Sequence, residues 1–433
     1  MPDPTGAVRP MPPFLAPPPP SALRWVVLAV LGGPLFAGGY LYDCIGPLAK
    51  VLSAQLGFSN AHIGLLQAMV SVPSLVMVLV GGIVIDRIGT RRGVVLFSAL
   101  CLAGSLVTTF SPRLGVMAAG RLVYGLGSGS LSVAVSTATA KWFRGPRLGF
   151  AYGMSLTLAR VGSLAAQTGP AWAGWAYRSW RPPLVLALGV ASLGLAAGLA
   201  YAFLERRARA RYDLGPRRGG AGTPGRGPVR FGPSYWLVVL VCATYYAGVF
   251  PFQTFAQKFF IEAHRVTAAH ASELVGIPTV IAMAASPLFG LLADRIAQRA
   301  RLLVLGTALM LPIYLLMAYA PVNLAVPMVL MGISFALVPT VLWPAVMVIA
   351  PRERLGTAFG LMQLVQSIGL VGFNCLIGWA NDACGAGEAN PAGYRLGMWL
   401  FTAALLGALG LAMALCRREP DPCGHLERRV RVA

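Results

Sequence analysis

The sequence predicts an all-α membrane protein whose twelve transmembrane helices form two pseudo-symmetric six-helix bundles. Three observations carry this prediction: apolar runs of bilayer length recur from end to end, charge is scarce, and an internal repeat relates the two halves. Of the 433 residues, 57% are hydrophobic and 11% are charged, against roughly 25% charged in a soluble domain. A greasy soluble α/β protein would break its apolar runs after roughly 4 to 8 residues. Here the runs approach the roughly 20 residues that cross a bilayer. They lie at 23–43, 61–85, 93–112, 115–139, 148–176, 182–203, 236–257, 270–293, 302–320, 323–349, 355–379 and 394–415.

Residues 1–22 are proline-rich and end in Pro17 to Pro20, the composition of a disordered or polyproline tail. The apolar segment that follows is too long for a signal-peptide core, so the first helix is expected to be retained. Spans 1–6 make an N-terminal bundle over 23–203, and spans 7–12 a C-terminal bundle over 236–416. A basic linker at 204–235 joins them, and residues 417–433 form a second tail. The linker carries Arg206, Arg207, Arg209, Arg211, Arg217, Arg218, Arg226 and Arg230 among Gly and Pro, which suits a flexible segment drawn to anionic lipid headgroups.

The formal charge of +21 does not point to nucleic acid, because the basic residues sit in short clusters between apolar runs and form no contiguous patch. The tails and even-numbered loops hold 26 Lys and Arg, and the opposite loops 7. By the positive-inside rule both termini are cytoplasmic. The seven cysteines show neither metal-ligand nor disulfide spacing.

The repeat is read at a shift of about 207 residues. Arg147-Leu-Gly-Phe-Ala-Tyr-Gly-Met at the start of span 5 returns as Arg354-Leu-Gly-Thr-Ala-Phe-Gly-Leu at the start of span 11. Gly82-Ile-Val-Ile-Asp86-Arg87 returns as Gly290-Leu-Leu-Ala-Asp294-Arg295. The loop after span 2 continues through Gly89, Arg91 and Arg92; its glycines allow close helix approach, and its acid and arginines can bond across a gate. Span 4 carries Arg121 followed by Tyr124, Gly125, Gly127 and Gly129. The small residues fit tight helix packing, and Arg121 reads as a structural clamp through buried hydrogen bonds.

Arg160 lies about twelve residues into span 5, roughly 18 Å and so near the bilayer centre. An arginine there costs at least about 2.5 kcal/mol and marks a functional site by default. Its counterpart in the second half is Ser367, so the fold itself does not demand the charge. A planar guanidinium matches a carboxylate or phosphate through two parallel bonds. Tyr245 and Tyr246 on span 7, Trp343 on span 10, and Gln363 and Gln366 on span 11 bring hydrogen-bonding tips to an otherwise apolar wall. None of the fourteen acids or four histidines falls deep within a span, with Asp43 at the outer end of span 1. That pattern leans away from proton coupling and towards uniport or exchange. No constellation of nucleophile, base and acid, no metal-ligand spacing and no nucleotide fingerprint stands out. An enzyme is therefore not expected, and no cofactor is called for.

Duplication of a six-helix unit in parallel orientation, with these two motifs, resembles the major facilitator superfamily of transporters, whose substrate site lies between the halves. Further stretches resemble one branch, the lysosomal dipeptide uniporters called major facilitator superfamily domain-containing protein 1. They include Tyr42-Asp43, Ala140-Lys-Trp142-Phe143-Arg-Gly145, Leu158-Ala-Arg160-Val-Gly162-Ser163, Cys242-Ala-Thr-Tyr245-Tyr246-Ala-Gly-Val-Phe250-Pro251-Phe252, Ser286-Pro287-Leu-Phe-Gly290 and Leu342-Trp343-Pro344. The resemblance implies that Arg160 holds a peptide carboxylate and that Trp343 lines the site. It also departs from this chain, because a family acid on helix 4 that would hold the peptide amine aligns with Gly129. The arginine-rich, lysine-poor composition suits a bacterial inner membrane; a lysosomal membrane is the eukaryotic counterpart. The expected partners are a small carboxylate-bearing solute and the lipid bilayer, with no nucleic acid, and the sequence names no accessory subunit. The alternatives are a monocarboxylate or oxalate-like exchanger and a receptor or scaffold that has lost transport.

Overall fold

In lipid each backbone N–H must find its partner within its own segment, so the apolar runs fold as helices. The computed structural model describes residues 19–143, 148–212, 231–296, 299–350 and 355–418. Most of the proline-rich tail and of the linker, the C-terminal tail from 419, and Arg147 and Arg354 of the repeat lie outside the described residues. The helices are α1 (Ser21–Asp43), α2 (Ala49–Leu56), α3 (Asn60–Ser71), α4 (Ser74–Phe110), α5 (Leu114–Trp142), α6 (Leu148–Gln167) and α7 (Gly169–Trp172). They continue with α8 (Arg181–Arg209), α9 (Pro233–His264), α10 (Ala268–Ile296), α11 (Arg299–Tyr319), α12 (Ala325–Ile349), α13 (Leu355–Ala383) and α14 (Arg395–Arg418).

Among the described residues, nine helical stretches are long and apolar enough to cross a membrane. The three expected spans outside that set have local reasons. Span 2 is divided between α3 and α4 around Pro73, which lacks an N–H for the helix ladder. Span 4 is diluted by Arg121 and by Gly and Ser residues that serve packing, while span 5 ends early in the short α7. Spans 2 and 3 run on as α4, broken only at Gly89, whose φ of 81° and ψ of 161° belong to a backbone region open essentially to glycine alone.

The halves repeat each other in space. Helix α1 packs on α6 and α8, just as α9 packs on α13 and α14; likewise α4 meets α5 and α8 as α11 meets α12 and α14. Glycines set the tightest crossing. A Cβ at Gly162 of α6 would fall 2.0 Å from the Phe36 carbonyl oxygen, and one at Gly39 of α1 would fall 2.0 Å from that of Ala159. Gly162→Val is therefore expected to pry α6 from α1 at a cost of about 2 kcal/mol or more, seen as a lower melting temperature of the detergent-solubilised protein. An unchanged melt would show that the crossing relaxes without penalty.

Between the halves, α3 lies along α13, and α6 along α10. At the end away from the linker a belt of polar contacts joins them. Asp382 at the end of α13 accepts from the backbone N–H groups of Asn60 (2.8 Å) and Ala61 (2.7 Å) and from the Asn60 side chain (3.0 Å). Lys258 of α9 donates to Ser53 (3.0 Å) and Asn60 (2.8 Å), with Glu262 at 4.0 Å. Thr279 of α10 donates to Gln167 of α6 at 2.9 Å. At the linker end of α6, by contrast, Gly153, Met154 and Leu156 are exposed. The N-terminal bundle is braced at its linker end by Glu205, which is 1% exposed and accepts from Lys141, Arg209 and Thr90.

Candidate functional site

A charged side chain is stable between two apolar bundles only if it has partners, so the site is best read from Arg160 outwards. Arg160 projects from α6 to the opposite bundle, where its guanidinium carbon lies 5.4 Å from the centre of the Phe335 ring on α12, within cation–π range. Its Nη1 is buried and has no hydrogen-bond partner among the described residues. Phe335 is the edge of an aromatic wall. It meets Phe250 at 5.6 Å and Tyr246 at 6.5 Å, and Tyr246 stacks on Phe250 at 5.4 Å and 9°. Trp343 donates its indole N–H to the Tyr246 hydroxyl (3.1 Å) and stacks on Phe359 of α13. Tyr42 of α1 touches Phe250 edge-on from the N-terminal bundle, with centroids 6.2 Å apart.

The structure brings together Arg160, Tyr246 and Trp343 of the expected site residues. Tyr245, one residue and about 100° around the helix from Tyr246, turns away into the C-terminal bundle. It is 0% exposed and bonds Ser334 at 2.8 Å, while Ser334 donates to the Gly306 carbonyl. Gln366 is buried against Cys242 of α9, which donates to it over 3.8 Å. Gln363 is half-buried on the same helix. Sequence reasoning missed Phe250 and Phe335, although Tyr246, Phe250, Gln253 and Gln257 recur at the i, i+4, i+7, i+11 spacing of one helix face.

Arg121 occupies a different setting, 2% exposed on α5. It donates to the carbonyls of Leu41 (2.5 Å), Tyr42 (3.0 Å) and Leu66 (3.4 Å) and to the Gln67 side chain (2.8 Å). It thus caps the C-terminal end of α1, where backbone acceptors lack helical partners and the dipole favours a cation. Of the motif residues, Arg87 and Arg92 are exposed and Arg91 is half-buried, while the side chains of Asp86, Asp294 and Arg295 lie outside the described residues.

Beyond the aromatic wall, towards the closed end, is a cavity of about 10 Å³ lined by Asp43, Gln67, Gln167, Gln253, Thr254 and Gln257 among others. This polar set was also not read from the sequence, apart from Asp43, which had been placed at the outer end of span 1. Glu262 and Lys258 were outside span 7 as read because its apolar run stops near residue 257, whereas α9 continues to His264.

Comparison with known proteins agrees with this architecture. The pattern of the Major Facilitator Superfamily matches residues 35–374. The chain is 32% identical over 380 residues to the lysosomal dipeptide transporter MFSD1 of Mus musculus, covering 84% of this chain and 81% of that one. With the Danio rerio MFSD1 it shares 30% over 366 residues, covering 81% and 79%. A probable sulfoacetate transporter, SauU of Cupriavidus necator, is 26% identical over 342 residues, covering 73% and 78%. Among solved structures, a bacterial homologue of the lysosomal transporter Spinster, captured inward-facing and occupied, superposes with a TM-score of 0.73. It is 18% identical, and the match covers 92% of this chain and 98% of that one. The nucleoside transporter NupG gives 0.72 at 13% identity, covering 90% and 99%. With a superfamily match across most of its length and relatives of this identity, the chain belongs to the Major Facilitator Superfamily, a family of membrane transporters and not of enzymes.

Proposed function

We propose that the chain moves a small carboxylate-bearing solute by alternating access, as a dipeptide uniporter, with Arg160 as the anchor for the carboxylate. The observation that carries this reading is the buried Nη1 of Arg160, unpartnered among the described residues and held beside the aromatic wall of the opposite bundle. A carboxylate there would accept charge-assisted bonds from the guanidinium, including one from the Nη1 that is unpartnered among the described residues. Trp343 and Tyr246 then line the site, with Gln363 beside them. Tyr245 and Gln366 support the wall from within the C-terminal bundle. Residues 23–203 and 236–416 are the two moving bodies, and Asp86, Arg87, Arg91, Arg92, Asp294 and Arg295 serve the gate on the linker side, which we place in the cytoplasm of a bacterium. The similarity to MFSD1 relatives supports a dipeptide. A second reading, exchange of small acids, draws on Gly129 in place of the family acid and on the similarity to the sulfoacetate transporter relative.

Either solute must bind the two access states with similar strength. A preference of about 5.5 kcal/mol for one state would hold nearly the whole population there. The test is uptake of a labelled dipeptide into proteoliposomes holding the purified chain. Saturable uptake that unlabelled dipeptides inhibit and monocarboxylates do not is the expected result. Trans-stimulated flux of small acids with no dipeptide flux would replace the reading with the exchanger, and binding without any flux would replace it with a receptor.

A further inference from the structure

The cavity at the closed end is lined by several acceptors, one of which is unpartnered among the described residues. Gln257 of α9 is 2% exposed; its amide N–H donates to the Ala268 carbonyl at 3.3 Å, but its Oε1 is buried with no partner among the described residues. Asp43 of α1 lines the same space, beside Ser163 and Gln167 of α6. Arg121 is near, yet its guanidinium is spent on the α1 and α3 carbonyls and on Gln67. The Gln167 oxygen is taken by Thr279. Beside the Gln253 amide and Thr254, about 10 Å³ of space is faced by a carboxylate from one bundle, which Ser163 and Gln167 already approach, and by an unpartnered amide oxygen from the other. That is room for one water-sized group, and an ammonium, with three donors and no acceptor, is the group such a set would hold.

The spacing matches a short zwitterion. Along α6, Ser163 and Gln167 follow Arg160 by roughly 4.5 and 10.5 Å of helix rise. A dipeptide of two extended residues separates its amine from its carboxylate by roughly 7 Å, between those values. We propose that the cavity between Asp43 and Gln257 is the subsite for the substrate's primary ammonium, filling the role left open by Gly129. The inference rests on the dipeptide reading above. It makes the bound amine a bridge between bundles, since its acceptors come from α1 and α9.

The experiment compares a dipeptide with its N-acetyl analogue as competitors of labelled dipeptide uptake, in wild type and in Asp43→Asn. Wild type is expected to prefer the free amine by about tenfold or more, the scale of one charge-assisted bond. Asp43→Asn is expected to bring the two competitors within about threefold while leaving the N-acetyl analogue's affinity unchanged. Equal competition in wild type overturns the proposal, as does a preference that survives Asp43→Asn or a parallel loss of both competitors in that variant. Should Asp43→Asn not yield monodisperse protein, Gln257→Met removes the unpaired acceptor and is expected to narrow the preference about threefold; an unchanged preference there also overturns it. Absence of dipeptide binding to wild type would sink the underlying reading and this inference together, whereas binding without amine preference sinks this inference alone.

Discussion

Arg160→Ala is expected to lower dipeptide uptake efficiency by about 100-fold or more while leaving the melting temperature unchanged or raised. The first half follows from removing the cation that anchors the carboxylate in the proposed reading: truncating one member of a desolvated charge pair costs about 2–5 kcal/mol of binding. The second half follows from the apo geometry. Arg160 gives its Nη1 to no described protein acceptor, so the folded protein carries its desolvation without a matching return. On the proposed anchor role, such a group trades stability for binding. Arg160→Lys keeps the charge but loses the planar fork and its fit over Phe335, and an intermediate loss of roughly tenfold is expected. Uptake kinetics and thermal unfolding on the same preparations check both halves. An Arg160→Ala protein that transports normally would remove the anchor, and one that unfolds would make Arg160 a clamp.

Arg121→Ala is expected to give the opposite pair of results, with stability failing first. Four acceptors on α1 and α3 each lose a charged donor at once, among them the carbonyls of Leu41 and Tyr42 at an end of α1 with no helical partners, which keep only the Cys44 thiol and the Gln67 amide. Each hydrogen bond to a charged donor is worth about 1.5–3 kcal/mol. Even with partial relaxation the total is about 4 kcal/mol, or roughly 4 °C in melting temperature for a chain of this length. Arg121→Lys should recover only part, because an ammonium cannot reach this fan of acceptors with a fork's geometry. A variant that melts like wild type would show that water replaces the guanidinium at little cost.

The two arginines show how far the sequence reaches. Both were legible because an arginine within an apolar span is costly wherever it sits. The internal repeat separated them further, since Ser367 stands where Arg160 would recur. The helices were legible for the same reason of solvent, and most expected intervals fall on helices, although span 2 is divided between α3 and α4 and joined to span 3 within α4. What stayed hidden depends on rotation about a helix axis and on partners far away in sequence. Tyr245 and Tyr246 look alike in the sequence, yet one faces Ser334 and the other the Trp343 indole. Phe250 and Phe335 read as ordinary apolar residues until a guanidinium and a tyrosine ring are set against them. Lys258, Glu262 and Asp382 read as loop charges because their compensation comes from α2, α3 and Tyr394, which no local window contains.

The belt at the closed end has a consequence for how such a protein can be tuned by mutation. Two of the three groups that donate to Asp382 are main chain, the N–H groups of Asn60 and Ala61, and every residue except proline presents that donor. Substitution at Ala61 leaves its part of the latch in place, whereas substitution at Asn60 also removes its side-chain bonds to Asp382 and Lys258. The readily heritable adjustment of this contact therefore lies in the side chains of Asn60, Asp382 and Lys258. Part of the lock is written in side chains and drifts with them; the rest is written in peptide groups and does not.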